Sequence, residues 1–238
     1  MCAHYGVDGF EGVASRRASG SSVRFVSIGA ATATVDESRD DALMLAWARD
    51  QHGHARITGS RARNLNPLIH EGKGARRADL GWWGLHVGGA PAPFSAFNSR
   101  DDKLLISWRE PFQRRALLPA TWYTEKGRDL GLRDGDLFTL AAIVTPVALG
   151  DGGQFLSYSM VTREAIGEAA DAHHRMPLVV PQSMRDEWLA PSRAGDEALV
   201  RDMLRASDDI SRAMRSFETA PAASQAAPRS GQADPTLF

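Results

Sequence analysis

The sequence predicts an α+β fold: one domain with a mixed, mostly antiparallel β core, barrel-like, flanked by helices and followed by a flexible C-terminal tail. Three observations carry this. Short apolar runs divided by turn residues fill the middle of the chain, helical patterns cluster towards its end, and no regular βαβ alternation links the two. The chain's 238 residues suit one large domain, and 43% hydrophobic content is enough for a real core, which excludes wholesale disorder.

In order along the chain, Met1 to Gly20 shows no long periodicity. Val23, Phe25, Val26 and Ile28 read as a strand. Ser38 followed by Asp41 resembles a helix cap, and Leu43, Leu45, Ala46 and Trp47 then give a short amphipathic helix to about His52. Arg61, Arg63, Lys73, Arg76 and Arg77 make a basic loop that runs directly into Trp82-Trp83-Gly84-Leu85. By itself such a loop is a solvated one before a core tryptophan pair. Cations beside paired aromatics are also what a single-stranded nucleic-acid groove requires, because the cations follow the backbone while the rings stack on bases.

Leu104 to Trp108, Ala116 to Leu118, Leu137 to Val144 and Phe155 to Val161 are the predicted central strands, with turns at Asp134-Gly135 and Asp151-Gly152-Gly153. Helices are expected at Arg163–Ala172, Ser183–Leu189 and Asp196–Arg205. From Thr219 the chain is rich in Ala, Pro, Ser and Gln, so the domain spans residues 1–217 and residues 218–238 form a disordered tail.

Charge narrows the function classes. Lys plus Arg total 28 against 29 Asp plus Glu, so a nucleic-acid surface must arise from uneven distribution rather than from a chain basic throughout. The positive charge is mostly Arg, whose planar fork suits phosphate. No window approaches the roughly 18 consecutive apolar residues of a membrane helix, and the N-terminus does not read as a signal peptide. A single Cys makes neither an internal disulfide nor a multi-cysteine zinc site. The expectation is a cytoplasmic monomer with no metal, no cofactor and no membrane partner.

That Cys is Cys2. Removal of Met1 leaves an α-amine and a thiol on adjacent carbons, with reference pKa values of about 8 and about 8.5. Such a 1,2-aminothiol condenses with an aldehyde to an imine, and the thiolate then closes a five-membered thiazolidine. Alone, a Cys at position 2 is an ordinary small residue. An ordered set of segments accompanies it: Trp83-Gly84-Leu85, Phe97-Asn98-Ser99-Arg100, Arg114-Arg115-Ala116-Leu117-Leu118-Pro119-Ala120, Trp122-Tyr123-Thr124-Glu125 and His173-His174-Arg175-Met176-Pro177.

Over most of Met1 to Leu189 this order resembles the SOS response-associated peptidase (SRAP) family, with its N-terminal Cys and its N-A-R-x-E, R-C-L-I-P-A-x-G-F-Y-E-W and H-x-R-M-P segments. The last fits without a gap, and counting on from Pro119 places the family's glutamate on Glu125. The chain departs from the pattern at Ala3 and His4, where the family has G-R, at Trp122 and Lys126, and at Ala116 in place of a Cys; the acid after N-A-R falls on Asp102. Gly6 to Leu65 matches poorly, as in a divergent member.

The resemblance implies a protein that recognises abasic sites in single-stranded DNA during the DNA damage response and links to them covalently through Cys2. It implies Cys2, Asn98, Glu125 and His173 as the catalytic set. Glu125 and His173 move protons during sugar-ring opening and imine dehydration, and Asn98 orients the Cys2 amine. The DNA contacts fall on Arg100, His4 and Arg175 for phosphate, with Arg175 alternatively supporting the fold, and on Trp82 and Trp83 for bases. Tyr5, Trp83 and Met176 also read as core or pocket wall. Two other classes use the same residues: a cysteine-type (auto)peptidase with Cys2 as N-terminal nucleophile, and a catalytically inactive single-strand binding module. The chain ends Gln232-Ala233-Asp234-Pro235-Thr236-Leu237-Phe238, which resembles a bacterial sliding-clamp ligand, so the replication clamp is a further candidate partner.

Overall fold

The computed structural model describes residues 4–7, 55–58, 65–72, 74–92, 96–148 and 154–217. Cys2, the predicted strand from Val23, the helix from Leu43, the turn at Asp151 and the tail from residue 218 lie outside them.

Five strands close a barrel. They are β3 (Leu65–Gly72), β4 (Ala75–Trp83), β8 (Arg115–Ala120), β11 (Phe138–Ala148) and β12 (Gln154–Glu164), in ring order β12-β4-β3-β8-β11, with β11 pairing back onto β12. All contacts around the ring are antiparallel except β12 against β4. Side-chain alternation divides the core into two. Leu68, Leu118, Leu140, Ala142, Tyr158 and Met160 join one cluster with Trp83 and Phe138. Ile69, Leu117, Ala141, Ile143 and Val161 join the other, covered by Trp188, Leu199 and Met203. These last come from two of the helices α1 (Glu168–Ala172), α2 (Arg185–Leu189) and α3 (Glu197–Ala213). The α3 start is capped by Asp196, whose carboxylate accepts the Leu199 N–H at 2.8 Å.

Small strands complete the frame: β5 (His86–Val87) pairs with β6 (Ala90–Pro91), β7 (Asn98–Arg100) and β13 (Arg175–Pro177) with β12, and β14 (Val179–Val180) with β11. A second, antiparallel sheet runs β2-β1-β9-β10-β15, from β1 (His4–Val7), β2 (Ala55–Thr58), β9 (Trp122–Glu125), β10 (Arg128–Gly131) and β15 (Arg215–Phe217). Only Thr121 separates β8 from β9, so this stretch passes from barrel to second sheet, and its N–H donates to Gly6 O at 2.8 Å. The hydroxyls of Tyr5 and Tyr158 meet at 2.7 Å, tying β1 to the barrel.

Four expectations need correction. Leu104 to Trp108 is a run of turns rather than a strand; Leu104 and Trp108, four apart, are buried while Ile106 is 73% exposed, a helical rather than alternating pattern. Arg163 belongs to β12, so the first helix is only Glu168–Ala172, beginning after Gly167 with its φ of 61°. The helix predicted to end at Arg205 continues to Ala213. Within the basic loop, Arg76 and Arg77 lie on β4, and Arg76 is ion-paired to Glu71 (3.3 Å) and Asp186 (2.8 Å), so its charge is neutralised by protein.

Candidate active site

Three elements meet at one end of β12. On one side β7 runs parallel to it, with Asn98 opposite Met160 and Arg100 opposite Thr162. On the other β13 runs antiparallel, with Pro177 opposite Thr162 and Arg175 opposite Glu164. Before β13 lies His173, the extended residue that ends α1. Its Nδ1 is 3.6 Å from Oε1 of Glu125, the last residue of β9. The Glu125 side chain is only 2% exposed. Next to Glu125, Thr124 faces His4 across the β9–β1 pairing, so the strand that follows Cys2 enters the sheet beside the carboxyl.

The imidazole is held through its backbone neighbours. Arg175 N–H donates to His173 Nδ1 at 3.1 Å, and Arg175 O lies 3.2 Å from the same nitrogen. A backbone N–H can only donate, so a neutral ring accepts at Nδ1 and carries its proton on Nε2. A protonated ring instead faces Nδ1–H towards Glu125 and Arg175 O. In that state the Arg175 N–H loses His173 Nδ1 as its acceptor. His174, its ring centre 4.1 Å away, is exposed, and its pKa is held below the ordinary imidazole value by partial desolvation and then by His173, Arg175 and Arg100.

The two arginines occupy different settings. Arg100 is exposed and donates through Nε (2.9 Å) and Nη2 (2.8 Å) to both carboxylate oxygens of Asp102, which raises the guanidinium pKa and lowers that of the carboxyl. Arg175 is 8% exposed, and its Nη2 donates to Asp101 Oδ1, Thr162 O and Thr162 Oγ1. The phosphate role expected for Arg175 therefore meets a guanidinium already enclosed by protein acceptors.

The tryptophans also divide. Trp83 is 3% exposed; it donates to Phe97 O at 2.8 Å and packs edge-on to Tyr5 and stacked on Tyr158, so its ring is core and offers no face to a base. Trp82 is half-buried and meets His86 edge-on. Gly84 has a φ of 138°, and a Cβ there would come within 3.3 Å of Trp82 Nε1 and 3.5 Å of the Phe97 ring. Glycine thus lets the indole lie close to the segment leading into Asn98. Met176 is fully buried.

The sequence reading passed over Asp101, whose signal was two consecutive acids directly after Arg100. It also left unassigned why Arg115 stands at the head of the middle motif. Arg115 is buried and donates to four backbone carbonyls, of Trp188, Phe112, Ala190 and Arg193, with its guanidinium carbon 5.8 Å and 5.9 Å from the ring centres of Phe112 and Trp188. Burial pushes its guanidinium down to about 10, still protonated at neutral pH. Among the described residues no group of His, Cys, Asp and Glu is placed to hold a metal, and no helix is long and apolar enough to cross a membrane.

The model of the SOS response associated peptidase (SRAP) family matches residues 34–222. Among solved structures, the chain is similar to a protein from Bacteroides thetaiotaomicron (TM-score 0.60, 19% identity, covering 85% of this chain and 86% of that one). It is also similar to a protein from Bordetella bronchiseptica (TM-score 0.56, 18% identity, 86% and 92%) and to a phage-related protein from the same organism (TM-score 0.53, 18% identity, 68% and 79%). At these identities the likeness is one of fold. No curated protein matches the sequence.

Proposed function

The chain belongs to the SOS response associated peptidase (SRAP) family, which points to DNA-damage-related processing, and from that premise we propose that it binds single-stranded DNA and crosslinks itself to abasic sites through Cys2. The observation that carries this reading is the buried Glu125–His173 pair beside the strand that begins two residues after Cys2. Cys2 lies outside the described residues, and covalent geometry keeps its Cα within about 7 Å of that of His4.

In this reading the abasic sugar, mostly a closed hemiacetal, opens by proton transfer between its anomeric hydroxyl and ring oxygen. His173 is the proton-transfer group for this step. The Cys2 α-amine, oriented by Asn98, adds to the aldehyde carbon. Glu125 donates the proton with which hydroxide leaves as water, giving the imine. The thiolate adds to the imine carbon, the nitrogen takes a proton, and the thiazolidine closes with one water lost overall. Arg100 holds a flanking phosphate after exchanging Asp102 for it, His4 and His174 lie at the rim as hydrogen-bonding groups, and Trp82 stacks against a base. The tail's Gln232 and Leu237-Phe238 deliver the domain to the replication clamp.

The test is a denaturing gel of purified protein with single-stranded DNA carrying one abasic site. A slow-migrating band that requires both the lesion and Cys2 is expected. Cleavage of peptide bonds in trans without such a band would favour the peptidase reading instead, and salt-sensitive binding with neither would favour an inactive binding module.

A further inference from the structure

We propose that Asp101 and Arg175 form a positioning pair that sets the His173 ring against Glu125; its role in catalysis rests on the crosslinking reading above. Consecutive carboxylates serve different arginines here. Asp102 reaches outward to the exposed fork of Arg100, while Asp101 reaches inward to Arg175. Asp101 directly follows β7, and Arg175 opens β13, so this ion pair joins the strands on either side of β12. The guanidinium also bonds the Thr162 carbonyl and hydroxyl, crossing the end of the strand between them. The frame that presents Asn98 and Arg100 is thereby fixed relative to the one that presents His173.

The same residue continues the linkage through its main chain. Arg175 N–H is the donor to His173 Nδ1, and that nitrogen faces Glu125. A shift of Arg175 on loss of Asp101 moves the donor that selects the His173 tautomer and changes the distance to the carboxyl. Among the described residues, charged or titratable groups facing His173 include Glu125 from β9, the adjoining His174, and Arg175 itself. Arg175 acts here as a positioning residue, since releasing it to DNA would strand a carboxylate that is itself mostly enclosed.

The experiment compares full-length wild type with Asp101→Asn, Arg175→Lys and the double variant, each checked for folding by near-UV circular dichroism. Three quantities are read: the saturating rate of adduct formation across about pH 5–9, the affinity and salt dependence for undamaged single strands, and the His173 ring signals in 15N NMR without DNA. The expected result is a saturating rate about 10- to 100-fold lower with a displaced pH profile. Single-strand affinity should stay within about twofold, and the double variant should be no slower than the slower single one. His173 should change its 15N shifts and titration midpoint in Asp101→Asn. The proposal is overturned if Arg175→Lys weakens single-strand binding and flattens its salt dependence while Asp101→Asn tightens it, which would make Arg175 a masked phosphate ligand. If wild type forms no adduct, the functional reading fails, and the His173 signals alone judge the pair: unchanged shifts and midpoint in Asp101→Asn overturn it. Should Asp101→Asn fail the folding check, the same readouts on Arg175→Lys apply.

Discussion

Oε1 of Glu125 stands 3.6 Å from Nδ1 of His173, at the meeting point of a strand of the second sheet and a turn leading back to the barrel. Both side chains are polar and stand outside the two hydrophobic clusters of the core. Glu125→Gln and His173→Ala should therefore leave the affinity for undamaged single strands nearly unchanged and slow adduct formation roughly 10²- to 10⁴-fold. Rates measured with protein in excess check this; an unchanged rate in both variants would return the pair to a structural role.

Cys2 supplies both nucleophiles in the proposed reaction. Cys2→Ala should abolish the stable adduct. Cys2→Ser keeps the amine and should give an imine that only borohydride makes permanent. Intact-mass measurement of active protein should show Met1 absent, because a retained Met1 blocks the amine.

Asp102 occupies the fork that Arg100 would offer to phosphate. Asp102→Asn should tighten binding to undamaged single strands, and Arg100→Ala should weaken it and reduce the salt slope by about one. The carboxyl is held below its usual range by Arg100, so whatever the pair contributes to stability is present above about pH 4 and is lost only as pH falls through the lowered value. The effect of Asp102→Asn should accordingly be constant from about pH 5 to 8. Over that window wild-type affinity should rise towards the acid end, as His174, held below the ordinary imidazole range, gains charge. Fluorescence anisotropy at several salt concentrations and pH values measures all three.

Through four carbonyls Arg115 ties the head of β8 to Phe112 just before it, to Trp188 within α2, and to Ala190 and Arg193 after that helix. Arg115→Met keeps much of the apolar stem but leaves those acceptors unmatched, and should cost about 3–5 kcal/mol in urea unfolding. Arg115→Lys should recover part of this at most, since one ammonium cannot span all four.

The tail makes a separate prediction. A chain truncated after Gly231 should lose retention on the host's sliding clamp, with affinity of the full chain in the micromolar range by order of magnitude. Equal retention of both forms would remove the clamp from the list of partners.

Local pattern determined most of the β-rich centre: the apolar runs Leu137 to Val144 and Phe155 to Val161 are short and bounded by turn residues, and β11 and β12 cover nearly all of both and continue past them. The order of short motifs singles out Asn98, Arg100, Glu125 and His173 as candidates, since their residue types and sequence are a property of the chain alone. The hairpin of β3 and β4 was illegible: Asn66, Pro67, His70 and Glu71 interrupt the apolar alternation, and only pairing with β8 and β12 makes them strands. Whether an arginine or tryptophan faces solvent or core could not be read from its letter. Arg100 and Arg175 look equivalent in sequence, as do Trp82 and Trp83. Long-range pairing decides which side each one faces, and the low-dielectric interior then binds Arg175 to Asp101 and encloses Trp83 between Tyr5 and Tyr158.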